Sequence, residues 1–394
     1  MVCPFDGVPA VAYTLLTPSG NDSAVMFARA LDIDGTSWNT ATQVVASTGS
    51  AGTRVGVGCP QTDGTPVVYY AAVSSALVMK RAQNSAGTSW PASQVAVTGA
   101  SPVQGLSRAV VLPSSGRVAM LVGYGGGVFF TLLTNPSTGQ HLKIDVINGD
   151  VDVSPYTRRR AFSVALVGPS YDVPCVALID TQGGSPSVQY RRADDATGAS
   201  WNTEWRAAVP SSTCAGCMDQ MTPLALGALA DGSPALVLRD GVAQSLALFV
   251  GNGTDPVTTW SRVSELMPSG FAPVPAYTSL VRLGRTGLLT ALFVDEQGLR
   301  AITAASVDGT GWRGAQLVDG VDMRHEPSGV EGGDMTVCGM SLGSGVTDRV
   351  GVVYRVPRTG QLRMARNAAS SPTPSLTPSL SSSPRFCQFF FVCD

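Results

Sequence analysis

Three arginines, Arg54, Arg108 and Arg160, open the same apolar segment in three successive stretches of the chain. A guanidinium presents a planar fork of N–H donors, so three of them converging could hold a carboxylate or a sulfate on a sugar. Pairing with neighbouring acids is the other use of such a fork. Asp180, Asp240 and Asp295 likewise share one position, 6 residues beyond the start of a second recurring segment. Carboxylates at one level of a repeat can offer oxygens to calcium or to glycan hydroxyls, and Asp also opens turns with no ligand at all. Cys214 and Cys217 form a CAGC pair, but zinc needs a second pair or nearby histidines, and only His141 and His325 occur. A local disulfide in a loop, or free thiols, suits that pair better, and the pairing of the 8 cysteines stays open.

These residues are positioned by a repeat. ALDIDGTSW ends at Trp38, AQNSAGTSW at Trp90 and ADDATGASW at Trp201. Trp38, Trp90, Leu142, Trp201, Trp260 and Trp312 follow one another at steps of 52, 52, 59, 59 and 52 residues. Ahead of each lies an apolar segment such as AVMFARA, ALVMKRA or SVQYRRA, and ahead of that another such as PAVAYTLL, PVVYYAAV or PALVLRD. A third, RVGVGCP or SRAVVLP, precedes both, and a fourth starts at the tryptophan. Their length and apolar alternation read as β-strands, here called a to d in chain order.

Four short strands per period of this length is the repeat of a β-propeller, in which each sheet is a blade around a central channel. The expected fold is therefore all-β: seven blades of four antiparallel strands spanning residues 1–369, with the first lacking strand a and the last lacking strand d. The bulk composition agrees, with 44 Gly, 26 Pro and only 14% charged residues. Residues 370–385, SPTPSLTPSLSSSPR and its preceding serine, form a Ser/Thr/Pro linker or stalk with nothing to pack. Residues 386–394, FCQFFFVCD, are too short to span a bilayer.

The combination of G-x-P-A, a strand ending R-A-x-(D/N) and G-(T/A)-S-W resembles tandem repeats of bacterial and protist proteins. More distantly it is similar to the Asp-box turn, S-x-D-x-G-x-T-W, of sialidase-type propellers. Here the polar residue, Asp32, Asn84 or Asp195, stands three residues before Gly35, Gly87 or Gly198 rather than two. Physically, Asp or Asn holds the amides of its own turn, glycine supplies positive φ, and the indole fills space between sheets. Asp32, Gly35, Trp38, Asn84, Gly87, Trp90, Asp195, Gly198, Trp201, Trp260 and Trp312 are accordingly assigned to scaffolding. The resemblance implies that this turn lies on the face away from a ligand. It also raises a sialidase-like hydrolase, with Tyr277 as nucleophile, Glu326 beside it and the three arginines on a substrate carboxylate. The arginine signature of that family is absent, and nothing in the sequence brings a glutamate to Tyr277.

Ligand contacts are expected on the opposite face, where strand d returns to the next strand a and strand b turns into strand c. The d-to-a connections differ in length, and the longer ones carry Tyr156, Tyr277, Arg324, His325 and Glu326. With Arg54, Arg108 and Arg160 these form the expected binding set, with Asp180, Asp240 and Asp295 as candidates for a calcium ion. A formal charge of −2 gives no reason to expect nucleic acid, and no apolar run is long enough for a membrane span. The sequence thus reads as a monomeric, non-catalytic recognition module for a glycan or a cell-surface protein. A sialidase-like hydrolase and an intracellular protein-interaction scaffold are the alternatives. The stalk-like tail points to the cell surface or outside, whereas the first residues, MVCPFDGVPAVAY, carry no signal-peptide pattern and leave a cytoplasmic chain open.

Overall fold

The computed structural model describes residues 3, 5–16, 23–48, 55–60, 62–72, 77–92, 95–97, 103–107, 109–124, 127–135, 140–145, 162–180, 187–201, 206–209, 224–240, 245–252, 259–266, 278–284, 286–295, 298–319, 337–343, 348–355 and 362–368. Strands dominate them, and no helix among them is long and apolar enough to cross a membrane.

The strands fall into seven sheets. The first holds β1 (Ala10–Leu16), β2 (Ser23–Arg29) and β3 (Thr42–Val45); the second β4 (Val55–Gly58), β5 (Val67–Ala71), β6 (Leu77–Arg81) and β7 (Val95–Val97). In the third, strand a is split into β8 (Val103–Leu106) and β9 (Val110–Leu112), followed by β10 (Arg117–Tyr124), β11 (Gly127–Asn135) and β12 (Gln140–Asp145). The fourth contains β13 (Phe162–Val167), β14 (Val173–Asp180), β15 (Ser187–Arg192) and β16 (Arg206–Val209). The fifth contains β17 (Leu224–Ala228), β18 (Pro234–Asp240), β19 (Ser245–Asn252) and β20 (Thr259–Glu265). The sixth contains β21 (Thr278–Arg282), β22 (Leu289–Asp295), β23 (Gly298–Thr303) and β24 (Gln316–Asp319), and the seventh β25 (Val337–Gly343), β26 (Asp348–Arg355) and β27 (Leu362–Ala368).

Neighbours in each sheet pair antiparallel in chain order, as in Ala10↔Arg29 or Val67↔Arg81. The break in strand a of the third sheet falls at Ser107, whose Oγ accepts from the amide of Leu121 at 2.9 Å and so repairs the interrupted ladder.

A single sheet with two apolar faces cannot be stable in water, and Val67, Val68, Tyr69 and Tyr70 of β5 are all 1% exposed or less. Burying both faces requires a sheet on each side. Phe27 of the first sheet packs with Val68 of the second, and Tyr69 of the second with Met120 of the third. One continuous core then links Phe130, Tyr190 and Leu236 of the third, fourth and fifth sheets. Leu248 meets Leu280 between the fifth and sixth, and Leu292 meets Val352 between the sixth and seventh. The chain closes when Val353 and Met364 of the seventh sheet pack on Val11, Tyr13 and Trp38 of the first. Each fully buried aliphatic or aromatic side chain contributes about 1.5–3 kcal/mol, so the cohesion lies between sheets. The fold is an all-β propeller. Its closure joins two sheets in which three strands are described, and among the described residues it is side-chain packing that joins them.

Candidate functional site

Antiparallel order puts the a–b and c–d turns at one end of every sheet and the b–c turns at the other. The c–d turn carries the repeated phrase, and its geometry recurs. Ala30 bridges Trp38, Ala193 bridges Trp201 and Ala304 bridges Trp312. Asp32 accepts from the amides of Thr36 at 2.9 Å and Ser37 at 3.1 Å, and Asn84 accepts from that of Thr88 at 3.1 Å. Asp195 reaches only as far as the amide of Thr197, at 2.8 Å, and in the sixth sheet Asp308 accepts from the amide of Thr310 at 2.9 Å. Burial tends to raise the Asp32 carboxyl, but the hydrogen bonds from Thr36 and Ser37 outweigh it and hold the group down at about 2. The indole N–H groups of Trp38, Trp90, Trp201 and Trp312 cap this turn, donating to the carbonyl of Gly35 at 3.2 Å, Gly87 at 2.9 Å, Gly198 at 3.1 Å and Gly309 at 3.0 Å.

The turn also touches the preceding sheet. Gly35 lies against Met364, Gly198 against Phe130 and Gly309 against Leu248, where an added Cβ would come within 2.9 Å of the leucine. The indoles meet aromatic side chains of that same sheet edge-on, with Phe130 and Trp201 at 5.0 Å and Tyr190 and Trp260 at 5.2 Å between centroids. Carboxylate, glycine and tryptophan are thus occupied by their own turn and by the neighbouring sheet.

At the same end, the a–b turns form a second constellation around the inner strands. Arg29, 4% exposed, ends β2 and donates to Asp6 Oδ2 at 2.5 Å, to the carbonyl of Gly64 at 3.3 Å and to that of Ser85. It ties the first sheet to two turns of the second. Arg81 pairs with Asp63 in the equivalent place of the second sheet. Cys3 and Cys59 form a disulfide beside these turns, with Cα atoms 5.1 Å apart. In the fourth sheet Tyr171 has φ of 51°, the sole positive φ at a non-glycine among the described residues. Its hydroxyl donates to the carbonyl of Ala230 in the fifth sheet, and the guanidinium carbon of Arg282, ending β21 in the sixth, stands 3.5 Å from its ring centroid. Three successive sheets therefore meet at one side chain.

This architecture has known counterparts among solved structures. A lectin from Burkholderia pseudomallei superposes with a TM-score of 0.62 at 14% identity, over 93% of this chain and 97% of that one. The likeness is one of fold. A periplasmic gluconolactonase of Pseudomonas aeruginosa gives a TM-score of 0.49 at 15% identity, over 91% of this chain and 96% of its own. The Aleuria aurantia lectin, in complex with alpha-methyl-L-fucoside, gives 0.47 at 12% identity, over 83% and 97%. No protein-family model matches the sequence, and comparison with curated proteins gives no match.

The three aspartates weighed as calcium ligands fall at the other end of the sheets. Asp180, Asp240 and Asp295 close strand b of the fourth, fifth and sixth sheets and pair in register with Ser187, Ser245 and Gly298. The repeat position inferred for them is thus one rung at the b–c end. Among the described residues no three His, Cys, Asp or Glu side chains gather into a metal-binding group. Arg54, Arg108, Arg160, Tyr156, Tyr277, Arg324, His325 and Glu326 lie outside the described residues, as do Cys214 and Cys217.

Three residues escaped sequence reasoning in these roles. The sequence shows Tyr171 and Arg282 only as separate residues far apart in different repeats, and a positive φ at tyrosine has no sequence signal. Lys80, 8% exposed in β6, donates to the carbonyl of Val44 at 3.1 Å, and burial depresses its pKa. Its unusual burial was hidden because the strand motif ALVMKRA places it where lysine ordinarily snorkels to water.

Proposed function

We propose that the protein is a non-catalytic carbohydrate-binding propeller, taking a glycan on the face formed by the b–c turns and d-to-a connections. The observation that carries this reading is an all-β ring whose likeness to the Burkholderia pseudomallei lectin runs over nearly the whole of both chains. The unequal connections support the choice of face, because the c–d phrase at the opposite end is saturated by its own hydrogen bonds whereas the connections depart from the repeat. Arg54, Arg108, Arg160, Tyr156, Tyr277, Arg324, His325 and Glu326 are the proposed contacts, with the arginines on acidic groups and the tyrosines as stacking surfaces. Residues 1–369 form the binding unit in this reading, and 370–385 a stalk that displays it outside the cell.

The test is a glycan array probed with the full chain, followed by the Arg108→Ala and Tyr277→Ala variants. Retention of a defined glycan class, with at least about a tenfold loss of affinity in one variant, is the expected result. An array on which the folded chain retains no glycan overturns the proposal.

A further inference from the structure

At the a–b end, where the turns ring the innermost strands, Arg282 holds its guanidinium carbon over the Tyr171 ring, 3.5 Å from the centroid. Arginine at a sheet end ordinarily finds a carboxylate, as Arg29 finds Asp6 and Arg81 finds Asp63. Arg282 does not: among the described residues its recorded partner is the tyrosine ring alone, and no ion pair includes it. Stacking consumes the face of a guanidinium and leaves its N–H edge directed away from the ring.

The ring that aligns it is built at a cost. A bulky residue at positive φ is strained and persists only where the surroundings over-determine it. Here they do, because the Tyr171 hydroxyl is anchored on Ala230 and the amide of Gly168 donates to the carbonyl of Gly232 at 2.9 Å, welding the two turns. The carboxylates closest in the chain to this spot are Asp172 and Asp231. Asp231 is already engaged by the amide of Ser233 at 2.8 Å and its hydroxyl at 3.0 Å, and Asp172 adjoins Tyr171 at a partly buried position. The two oxygens of a carboxylate match the fork of such an edge.

We infer that Arg282, oriented by Tyr171, is a second carbohydrate subsite, on the a–b face, that accepts the carboxylate of a uronic acid residue. The inference rests on the carbohydrate-binding reading and adds an acidic sugar at the end of the ring opposite to the proposed principal face.

Isothermal titration of the full chain with tri-galacturonate, against neutral galactotriose and sodium acetate, tests it. Tri-galacturonate is expected to bind, neutral trisaccharide and acetate not to compete at equal concentration, and added salt to weaken binding. Arg282→Gln should lower affinity at least about tenfold, and Arg282→Lys, which keeps the charge but loses the fork, should fall between. Near-UV circular dichroism confirms the fold of each variant, and the lysine variant carries the test if the glutamine one unfolds. Unchanged affinity in a folded Arg282 variant, equal binding of the neutral trisaccharide, or competition by acetate alone overturns the inference. Retention of neutral glycans on the array with no binding of tri-galacturonate overturns it and leaves the principal reading standing; an empty array overturns that reading instead.

Discussion

The indole of Trp90 meets the ring of Phe27 edge-on, 5.4 Å between centroids and 65° between planes, across the gap from the second sheet to the first. The glycine of the same turn, Gly87, has φ of 68° and sits directly against Phe27. One aromatic side chain therefore receives both the tryptophan and the glycine of the next repeat. Phe27→Ala is expected to cost about 3–5 kcal/mol, since it opens a cavity at a fully packed junction. Gly87→Ala should also destabilise, because its Cβ needs an unfavourable φ and the space Phe27 fills. Urea unfolding of both variants checks this, and a Phe27→Ala loss under about 1 kcal/mol would remove the junction from any role in stability.

Arg29 gives a second handle on the same junction. It is buried, and it is tied to Asp6 and to the carbonyls of Gly64 and Ser85. Arg29→Met should destabilise by about 1–3 kcal/mol, because it leaves the buried carbonyl of Gly64 without its donor while the partly exposed Asp6 can turn to water. Replacing Arg29 and Asp6 together should recover part of that loss, which a double-mutant cycle in denaturant reads directly.

Much of this architecture was legible in the sequence for a physical reason. A sheet that buries both faces needs uninterrupted apolar strands, and a turn that abuts the next sheet needs glycine at a fixed place, so apolar strands such as VVYYA follow one another along the chain and G-(T/A)-S-W recurs. Strand order, the split of the period into four and the three-stranded sheets at each end all follow from counting those signals. Tyr171 with Arg282 and Cys3 with Cys59 were not legible. They join residues from different repeats, and the repeat fixes only which segment follows which, not which turn ends touch. Arg108 was singled out because it shares a repeat position with Arg54 and Arg160, and Tyr277 because it stands in a connection that departs from the repeat; both signals say where to look and not how the side chains are arranged.

The Cys3–Cys59 bridge closes a separation of 56 residues and links the segment before β1 to the end of β4. By the loop-entropy relation such a closure constrains the unfolded chain by about 4 kcal/mol. Reduction with dithiothreitol is expected to lower the denaturation midpoint, and Cys59→Ser to do the same without reductant. Identical midpoints with and without reductant would show that the bridge adds nothing to stability.

Lys80 makes the opposite prediction. It is a cation 8% exposed that donates to a carbonyl, that of Val44, and burial pushes its pKa down. A lysine with a folded-state pKa below its unfolded value penalises folding whenever it is protonated, and the penalty fades as pH rises through that lowered value. Lys80→Met keeps the long apolar stem and removes the charge, so it should leave stability at pH 7 unchanged or raise it. A loss above about 1 kcal/mol would mean that the ammonium is a needed tie between the first two sheets.

The turn carboxylates set the acid limit. Asp308 is held at about 2, first by the hydroxyl of Ser306 and then by the amide and hydroxyl of Thr310, and Asp32 is also at about 2, where burial pulls upward and the bonds from Thr36 and Ser37 prevail. Both folded values lie below the ordinary 3.8, so their stabilising effect is fully present above that value and drains away as pH falls through about 2. Carbon-13 titration of the side-chain carboxyls should place both midpoints near 2. Thr36→Val removes the hydroxyl that bonds Asp32 and should move its midpoint up toward 3.8, leaving Asp308 in place. A Thr36→Val midpoint that stays near 2 would assign the depression to the backbone amides of the turn, and Ser37→Ala would then also leave it unmoved.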